Sequence, residues 1–378
     1  MRSLVAVSSE EIPERLAAAL DGSGPALLPT APGDPAPPSL TGPVKEEIAL
    51  VVATSGSTGQ PKGVLLSAAA LRASASATHA RLGGPGTWLL ALSAHHIAGV
   101  QVLIRSLLAG SDAGIADTSQ GFRPDAFASA AHAVLDRPGR HYTSLVPTQL
   151  VRLLSDGGAG LEALTGFDGV LLGGAATPAE LLEQARAAGV AAITTYGMSE
   201  TCGGCVYDGV PLDGVRVRLG EDGRISLSGP VLASGYRGAA NEAFAEGWFH
   251  TNDLGRFEPD GRLTVLGRAD DMIITGGVNV APALVERVLC AEPDVLEACV
   301  LGLPHPEWGQ LVAAVVVPAE PGAPPSPERL RALVSSQLGG PFAPKRIAVV
   351  AALPLRGPGK VDRRALAEML ISHDVISR

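Results

Sequence analysis

Lysine is almost missing from this chain. Of its 29 basic residues only four are lysine (Lys45, Lys62, Lys345 and Lys360), and the acidic residues outnumber the basic ones to leave a net charge of −9. A chain so balanced has no basic stripe of the kind nucleic-acid binders carry, so no nucleic-acid partner is expected. Cysteine is equally scarce. Four residues, Cys202, Cys205, Cys290 and Cys299, are too few to staple 378 residues. Cys202 and Cys205 form an isolated CxxC with no second pair and no histidine at ligand spacing nearby, which argues against a zinc or redox centre. A reducing cytoplasm suits such a chain. Long apolar runs are absent too: a stretch such as Val312 to Val317 falls well short of the ~18 residues a membrane span needs. Met1-Arg2-Ser3-Leu4 leads to Glu10 and Glu11 with no apolar segment behind it, so no signal peptide is expected.

What is present is a soluble globular composition, with 46% hydrophobic and 18% charged residues. The length suits two to three units at roughly 100–200 residues each. After a short strand and an amphipathic helix in residues 1–20, the proline-rich stretch from Gly22 to Pro43 reads as an extended loop outside the core. The apolar run Ile48 to Ala53 has the character of a buried strand. Further strand–helix pairs follow: Trp88 to Leu92 with Gly99 to Leu108, Tyr142 to Val146 with a helix from Pro147, and Gly169 to Leu172 with a helix from Pro178. Alternation of this kind predicts an α/β domain with a mostly parallel sheet. Beyond about residue 210 the chain changes to short strands with Asp222-Gly223 and Asp260-Gly261 turns, a hairpin signal. From about Asp270 a small α+β unit is expected, with a helix from Ala281 to Cys290.

The strongest chemical signal directly follows the first buried strand. Thr54, Ser55, Gly56, Ser57, Thr58, Gly59, Gln60, Pro61 and Lys62 gather hydroxyls, glycines and one of the rare lysines. Glycines let backbone N–H groups approach an anion, hydroxyls donate to phosphate oxygens, and the lysine adds a cation. The segment is a phosphate cradle in character, although it lacks the GxxxxGK[ST] spacing of a Walker loop.

This loop resembles the phosphate-loop signature of the adenylate-forming superfamily, which includes acyl- and aryl-CoA ligases and the adenylation domains of peptide synthetases. Other segments match in order: Tyr196-Gly197-Met198-Ser199-Glu200-Thr201, Thr251-Asn252-Asp253, Gly267-Arg268-Ala269-Asp270-Asp271, Gly276-Gly277-Val278-Asn279 and Gly357-Pro358-Gly359-Lys360. The phosphate loop begins much earlier here than in typical members, so most of the family's first N-terminal subdomain is expected to be absent. A compact version is similar to the o-succinylbenzoate–CoA ligases of menaquinone synthesis in actinobacteria. The segments Leu171 to Pro178 and Cys205 to Val215 point the same way.

The resemblance implies an adenylate-forming AMP- and acid-binding domain over residues 1–268 and a mobile, lysine-bearing C-terminal domain over 269–378. It implies ATP, Mg²⁺ and coenzyme A as reactants or cofactors, and a small carboxylic acid as substrate. Lys360 is expected to bridge the acid's carboxylate and the α-phosphate. Glu200 is expected to hold Mg²⁺, Asp253 the ribose hydroxyls, and Arg268 ribose or phosphate. Thr58 and Lys62 would grip the outer phosphates. Gly173, Gly174 and Ala175 would pass along the adenine, with Tyr196 stacked on it. His96 would line the acid pocket, Asp270 would be the hinge, and Gly276 and Gly277 would face the thiol. Arg105, in the helix after His96, is the candidate cation for a second carboxylate, since a guanidinium fork suits that group. Three readings stay open: this ligase, an enzyme activating another aryl or fatty acid or loading a carrier protein, and a non-catalytic nucleotide-binding remnant. A homodimer is one candidate assembly; the sequence does not decide it.

Overall fold

The computed structural model describes residues 1–55, 61–320, 322–355 and 361–376. Four sheets organise them. The first has strand order Leu4–Ser8, Ala26–Thr30, Ile48–Ser55, Pro61–Ser67 and Gly235–Arg237. Its first three strands run parallel, and Ile48–Ser55 pairs antiparallel with Pro61–Ser67. The N-terminus is pinned to this sheet by Arg2, whose buried guanidinium donates to the carbonyls of Ala19 (2.7 Å), Gly24 (2.6 Å) and Ile48 (3.0 Å).

One sequence expectation fails here. The stretch Gly22 to Pro43 is not wholly a loop outside the core, because Ala26–Thr30 is a strand inside the first sheet with Ala26, Leu27 and Leu28 fully buried. Three apolar residues between Pro25 and Pro29 suffice. Pairing to Ile48–Ser55 is made at Leu27 opposite Leu50, so the missing N–H of Pro29 interrupts no ladder on that side.

The second sheet has seven strands in the order Val210–Pro211, Gly203–Tyr207, Ala192–Met198, Gly169–Leu172, His141–Leu145, Thr87–Leu90 and Gly114–Ile115. From Ala192–Met198 onward the neighbours are parallel, as the alternating pattern predicts. Alternate side chains of each strand enter opposite cores. Trp88, Leu90, Tyr142 and Leu171 pack under helices Ile12–Asp21, Ala68–Arg81 and Ile97–Leu108. Leu89, Leu145, Val170 and Leu172 pack under Pro124–Leu135, Pro147–Asp156 and Ala179–Ala187. Burial on both faces is why these strands read as continuous apolar runs.

The third sheet is antiparallel and holds Arg216–Leu219, Arg224–Ser228, Trp248–Phe257, Phe244–Ala245 and Leu263–Arg268. Both Asp-Gly turns fall where expected, with Gly223 at φ 78° and Gly261 at φ 83°. The fourth sheet spans Ile273–Thr275 to Arg346–Val349 and is covered by Pro282–Cys290 and Pro327–Leu338 on one face and by Arg363–Ile376 on the other. Among the described residues no helix is long and apolar enough to cross a membrane.

Candidate active site

In open parallel sheets ligands bind beyond the carboxyl ends of the strands. Here a cavity of about 690 Å³ opens at that edge of the second sheet. Its walls include Leu92 and Ser93 after Thr87–Leu90, Val146 after His141–Leu145, and Gly173 and Gly174 after Gly169–Leu172. Glycine is required in that wall. A Cβ on Gly173 would sit 2.6 Å from Thr195 Oγ1, and one on Gly197 would sit 2.1 Å from the carbonyl oxygen of Gly203.

At one end of the cavity, Lys62 leaves the first-sheet strand Pro61–Ser67 and places Nζ 3.3 Å from Glu200 Oε1. The Tyr236 hydroxyl donates to the same oxygen at 2.8 Å, and the Lys62 ammonium lies 3.9 Å from the Tyr236 ring centroid. Burial and the neighbouring Glu200 carboxylate push the Tyr236 phenol far up, so it stays a donor. Glu200 sits in the short turn Ser199–Thr201, which Thr201 locks: its hydroxyl accepts from the Met198 N–H (2.9 Å) and donates to the Gly203 carbonyl (2.7 Å). Both contacts to Glu200 fall on Oε1. Among the described residues no group of three or more metal-ligating side chains exists. A lone carboxylate still fits Mg²⁺, which keeps several waters and takes one or two carboxylates together with substrate phosphates.

Along the adjoining wall, Asp253 faces Arg268 across antiparallel strands, with Nη1 3.8 Å from Oδ1. Arg268 also forks onto Asp270, at 2.8 Å from Nε and 2.7 Å from Nη2. The Tyr196 hydroxyl donates to Asp253 Oδ2 at 2.7 Å. Burial raises the Asp253 carboxyl above its usual range, against the opposing pull of Tyr196 and Arg268. Burial, helped by Asp253, also raises the Tyr196 phenol.

The other end of the cavity is deeper. His96 is the N-cap residue of helix Ile97–Leu108, and Gln101 and Arg105 follow along that helix at intervals that share one face. His95 packs against His96 with ring centroids 4.0 Å apart and planes tilted by 48°, and turns its Nδ1 to Ser93 Oγ (2.6 Å). Arg105 is 3% exposed. Its guanidinium lies over Trp88 at 4.8 Å and touches the Tyr207 hydroxyl at 3.4 Å. Among the described residues no carboxylate pairs with it, and burial lowers its affinity for its proton. Gln101 Oε1 and Ser144 Oγ, both buried and both on lining residues, have no hydrogen-bond partner either. Buried polar atoms without partners call for an explanation, and a polar ligand supplies one.

Half of the sequence-derived candidates thus converge on one cavity: Thr54, Lys62, His96, Arg105, Gly173, Gly174, Gly197, Met198, Ser199, Glu200, Asp253 and Arg268 line it. Tyr196 and Thr201 are not lining residues; they hold Asp253 and the Glu200 turn. Ala175 does not line the cavity. Gly276 and Gly277 form the turn between Ile273–Thr275 and Val278–Val280, with φ 55° and 80°. Gly56, Ser57, Thr58, Gly59 and Lys360 lie outside the described residues, as does the Ser55 side chain. The CxxC pair is buried, and burial pushes both thiols up, Cys205 to about 12, so neither is a thiolate near neutrality. Sequence reasoning missed Tyr236, Ser144 and Gln101, which sit in segments without any local motif.

Comparison with known proteins agrees with this geometry. The family described as AMP-binding enzyme matches residues 5–237, and the AMP-binding enzyme C-terminal domain matches residues 284–360. A probable 2-succinylbenzoate–CoA ligase of Mycobacterium tuberculosis (strain CDC 1551 / Oshkosh) is 49% identical over 327 residues, which is 85% of each chain. Among solved structures, the o-succinylbenzoate CoA synthetase MenE from Bacillus subtilis in complex with the acyl-adenylate intermediate OSB-AMP is 28% identical, with TM-score 0.75, covering 96% of this chain and 82% of that one. The amide bond synthetase McbA from Marinactinospora thermotolerans is 27% identical, with TM-score 0.77, covering 97% and 80%. With cavity, charge layout and sequence in agreement, the chain belongs to the AMP-binding enzyme family.

Proposed function

We propose that the protein is an ATP-dependent acid–thiol ligase that adenylates 2-succinylbenzoate and passes the acyl group to coenzyme A. The observation that carries the choice of acid is Arg105: a buried guanidinium at the deep end of the cavity, with no carboxylate partner among the described residues. A monocarboxylic acid would leave that cation unanswered once its own carboxylate turns to the nucleotide. A dicarboxylic acid satisfies both ends, and a guanidinium fork matches the second carboxylate.

The chemistry follows from charge. The acid is already ionised near neutrality, so the barrier is the approach of one anion to another, which positioning and electrostatics lower. In the first half-reaction a carboxylate oxygen attacks the α-phosphorus, and the bond to pyrophosphate breaks. Lys62 and the loop before it grip the outer phosphates. Asp253, held by Tyr196, accepts the ribose hydroxyls, Arg268 steadies the sugar, and the wall at Gly173 and Gly174 accommodates the base. Glu200 would hold Mg²⁺, which would supply neutralisation of phosphate charge. His96 lines the passage between acid and nucleotide, and Lys360 bridges the reacting anions. In the second half-reaction the sulfur of coenzyme A bonds to the acyl carbon and AMP departs. We assign residues 269–378 as a unit that turns about Asp270 between the two steps, bringing the loop at Gly276 and Gly277 to the thiol. The compartment assigned to the reaction is the cytoplasm, where ATP and coenzyme A are supplied.

The test is pyrophosphate release with 2-succinylbenzoate, benzoate and a medium-chain fatty acid, each with and without coenzyme A. Turnover favouring the dicarboxylate and yielding a thioester is expected. Preference for either monoacid, or AMP formation that never passes to coenzyme A, overturns the assignment. ATP binding without any AMP production would mark a non-catalytic remnant.

A further inference from the structure

Arg105 is not held by chance packing, and resting on its reading as the cation for the second carboxylate, we propose that Tyr207 and Thr78 are positioning residues that aim its guanidinium. The hydrogen-bond directions are fixed from both ends. An arginine side chain only donates, so at the 3.4 Å contact the Tyr207 oxygen must accept from Arg105 Nη2. The phenol's single proton then has to go elsewhere. Its other partner is Thr78 Oγ1, at 2.9 Å. Thr78 can accept that proton because its own hydroxyl donates back along helix Ala68–Arg81 to the Ser74 carbonyl, at 2.9 Å.

The result is a one-way relay from Arg105 through Tyr207 and Thr78 to the helix backbone. Ser74 and Thr78 are fully buried and Tyr207 is 2% exposed, so bulk solvent has little access to these groups. Trp88 also packs on the cation, its ring centroid 4.8 Å from the guanidinium carbon. A cation in contact with both a ring face and an acceptor has fewer free orientations, and Arg105 and Tyr207 both line the cavity. The entropy of ordering the arginine is spent before the acid arrives, which is the advantage of preorganisation. Tyr207 lies in the segment Cys205 to Val215, which the superfamily motifs leave without a role.

The test compares two acids by pyrophosphate release: 2-succinylbenzoate and 4-oxo-4-phenylbutanoate, the same keto acid without the ring carboxylate. The readout is the ratio of their KM values, which a general loss of stability does not move. In Tyr207→Phe and in Thr78→Val the ratio should shift roughly tenfold against the dianion, the scale of one hydrogen bond to a charged group. Thr78→Ser, which keeps the hydroxyl, should restore it. An unchanged ratio in both Tyr207→Phe and Thr78→Val overturns the relay. Arg105→Ala separates the two claims. If it leaves the ratio unchanged, the carboxylate reading itself fails; if it shifts the ratio while Tyr207→Phe and Thr78→Val do not, only the relay fails.

Discussion

His79 shows how a single residue records the charge beside it. It lies on helix Ala68–Arg81, 8% exposed, with its ring 6.3 Å from Trp88. Burial, and behind it the Arg105 charge, lowers its pKa to about 4 from the ordinary 6.5. A histidine that resists protonation in the folded state makes folding less favourable in acid. Between pH 6.5 and 4 the unfolded chain binds more protons at this site, so stability is full above that window and falls as pH drops through it. Two and a half units correspond to about 3 kcal/mol. Urea unfolding at pH 7 and pH 4.5 should therefore show the natural protein losing about 2–3 kcal/mol more than His79→Gln over that interval. Parallel losses would mean that His79 is readily protonated in place, and that the interior around Arg105 is wetter than the geometry indicates.

Helix Ile97–Leu108 carries the His96, Gln101 and Arg105 end of the cavity as one rigid piece. Its first turn runs so close to the preceding loop that a Cβ on Gly99 would lie 2.3 Å from the Ser93 carbonyl oxygen and 2.7 Å from its carbon. Two effects oppose each other in Gly99→Ala. Helix propensity favours alanine by about 1 kcal/mol. The overlap is with backbone, which no side-chain rotation relieves, and costs about 2 kcal/mol or more. The clash should win. The variant should melt lower, and its adenylation rate should fall, because His96, Gln101 and Arg105 move with the rod. A higher melting temperature would show that the loop yields without cost. This helix was largely legible in the sequence, as were the helix begun by Pro147 and both Asp-Gly hairpins, because each is specified by residues a few positions apart. What was not legible depends on distant partners. The strand Ala26–Thr30 exists because sheet neighbours cover three apolar residues among prolines. The partner of Tyr207 lies 129 residues away, and Tyr236 reaches Glu200 across 36. No local pattern encodes such pairings. The motif residues Lys62, Glu200, Asp253 and Arg268 were found because each sits in a short, contiguous sequence motif of recognisable chemistry.

On the scale of the whole molecule the Asp253 and Arg268 side of the cavity and the fourth sheet are joined through a short, charged seam. Arg268 closes the last strand of the third sheet, lines the cavity, and forks onto Asp270, so the connection to residues 269–378 begins at the site itself. If that unit must take up two poses, the two half-reactions should be separable by mutation. Asp270→Pro fixes φ near −65° and restricts Ala269 before it, which limits the turn without removing a cavity residue. Lys360→Ala removes the cation proposed to bridge acid and phosphate and leaves the backbone free. The two variants should fail in opposite ways. Lys360→Ala should lose roughly 10²-fold or more in pyrophosphate release, as removal of a key electrostatic donor does, yet convert supplied acyl-adenylate to thioester at a near-natural rate. Asp270→Pro should release pyrophosphate in a first turnover and then stall with the adenylate bound, detectable as a stoichiometric burst. Loss of both half-reactions in both variants would mean that one fixed arrangement performs both steps, and that the seam is a strut.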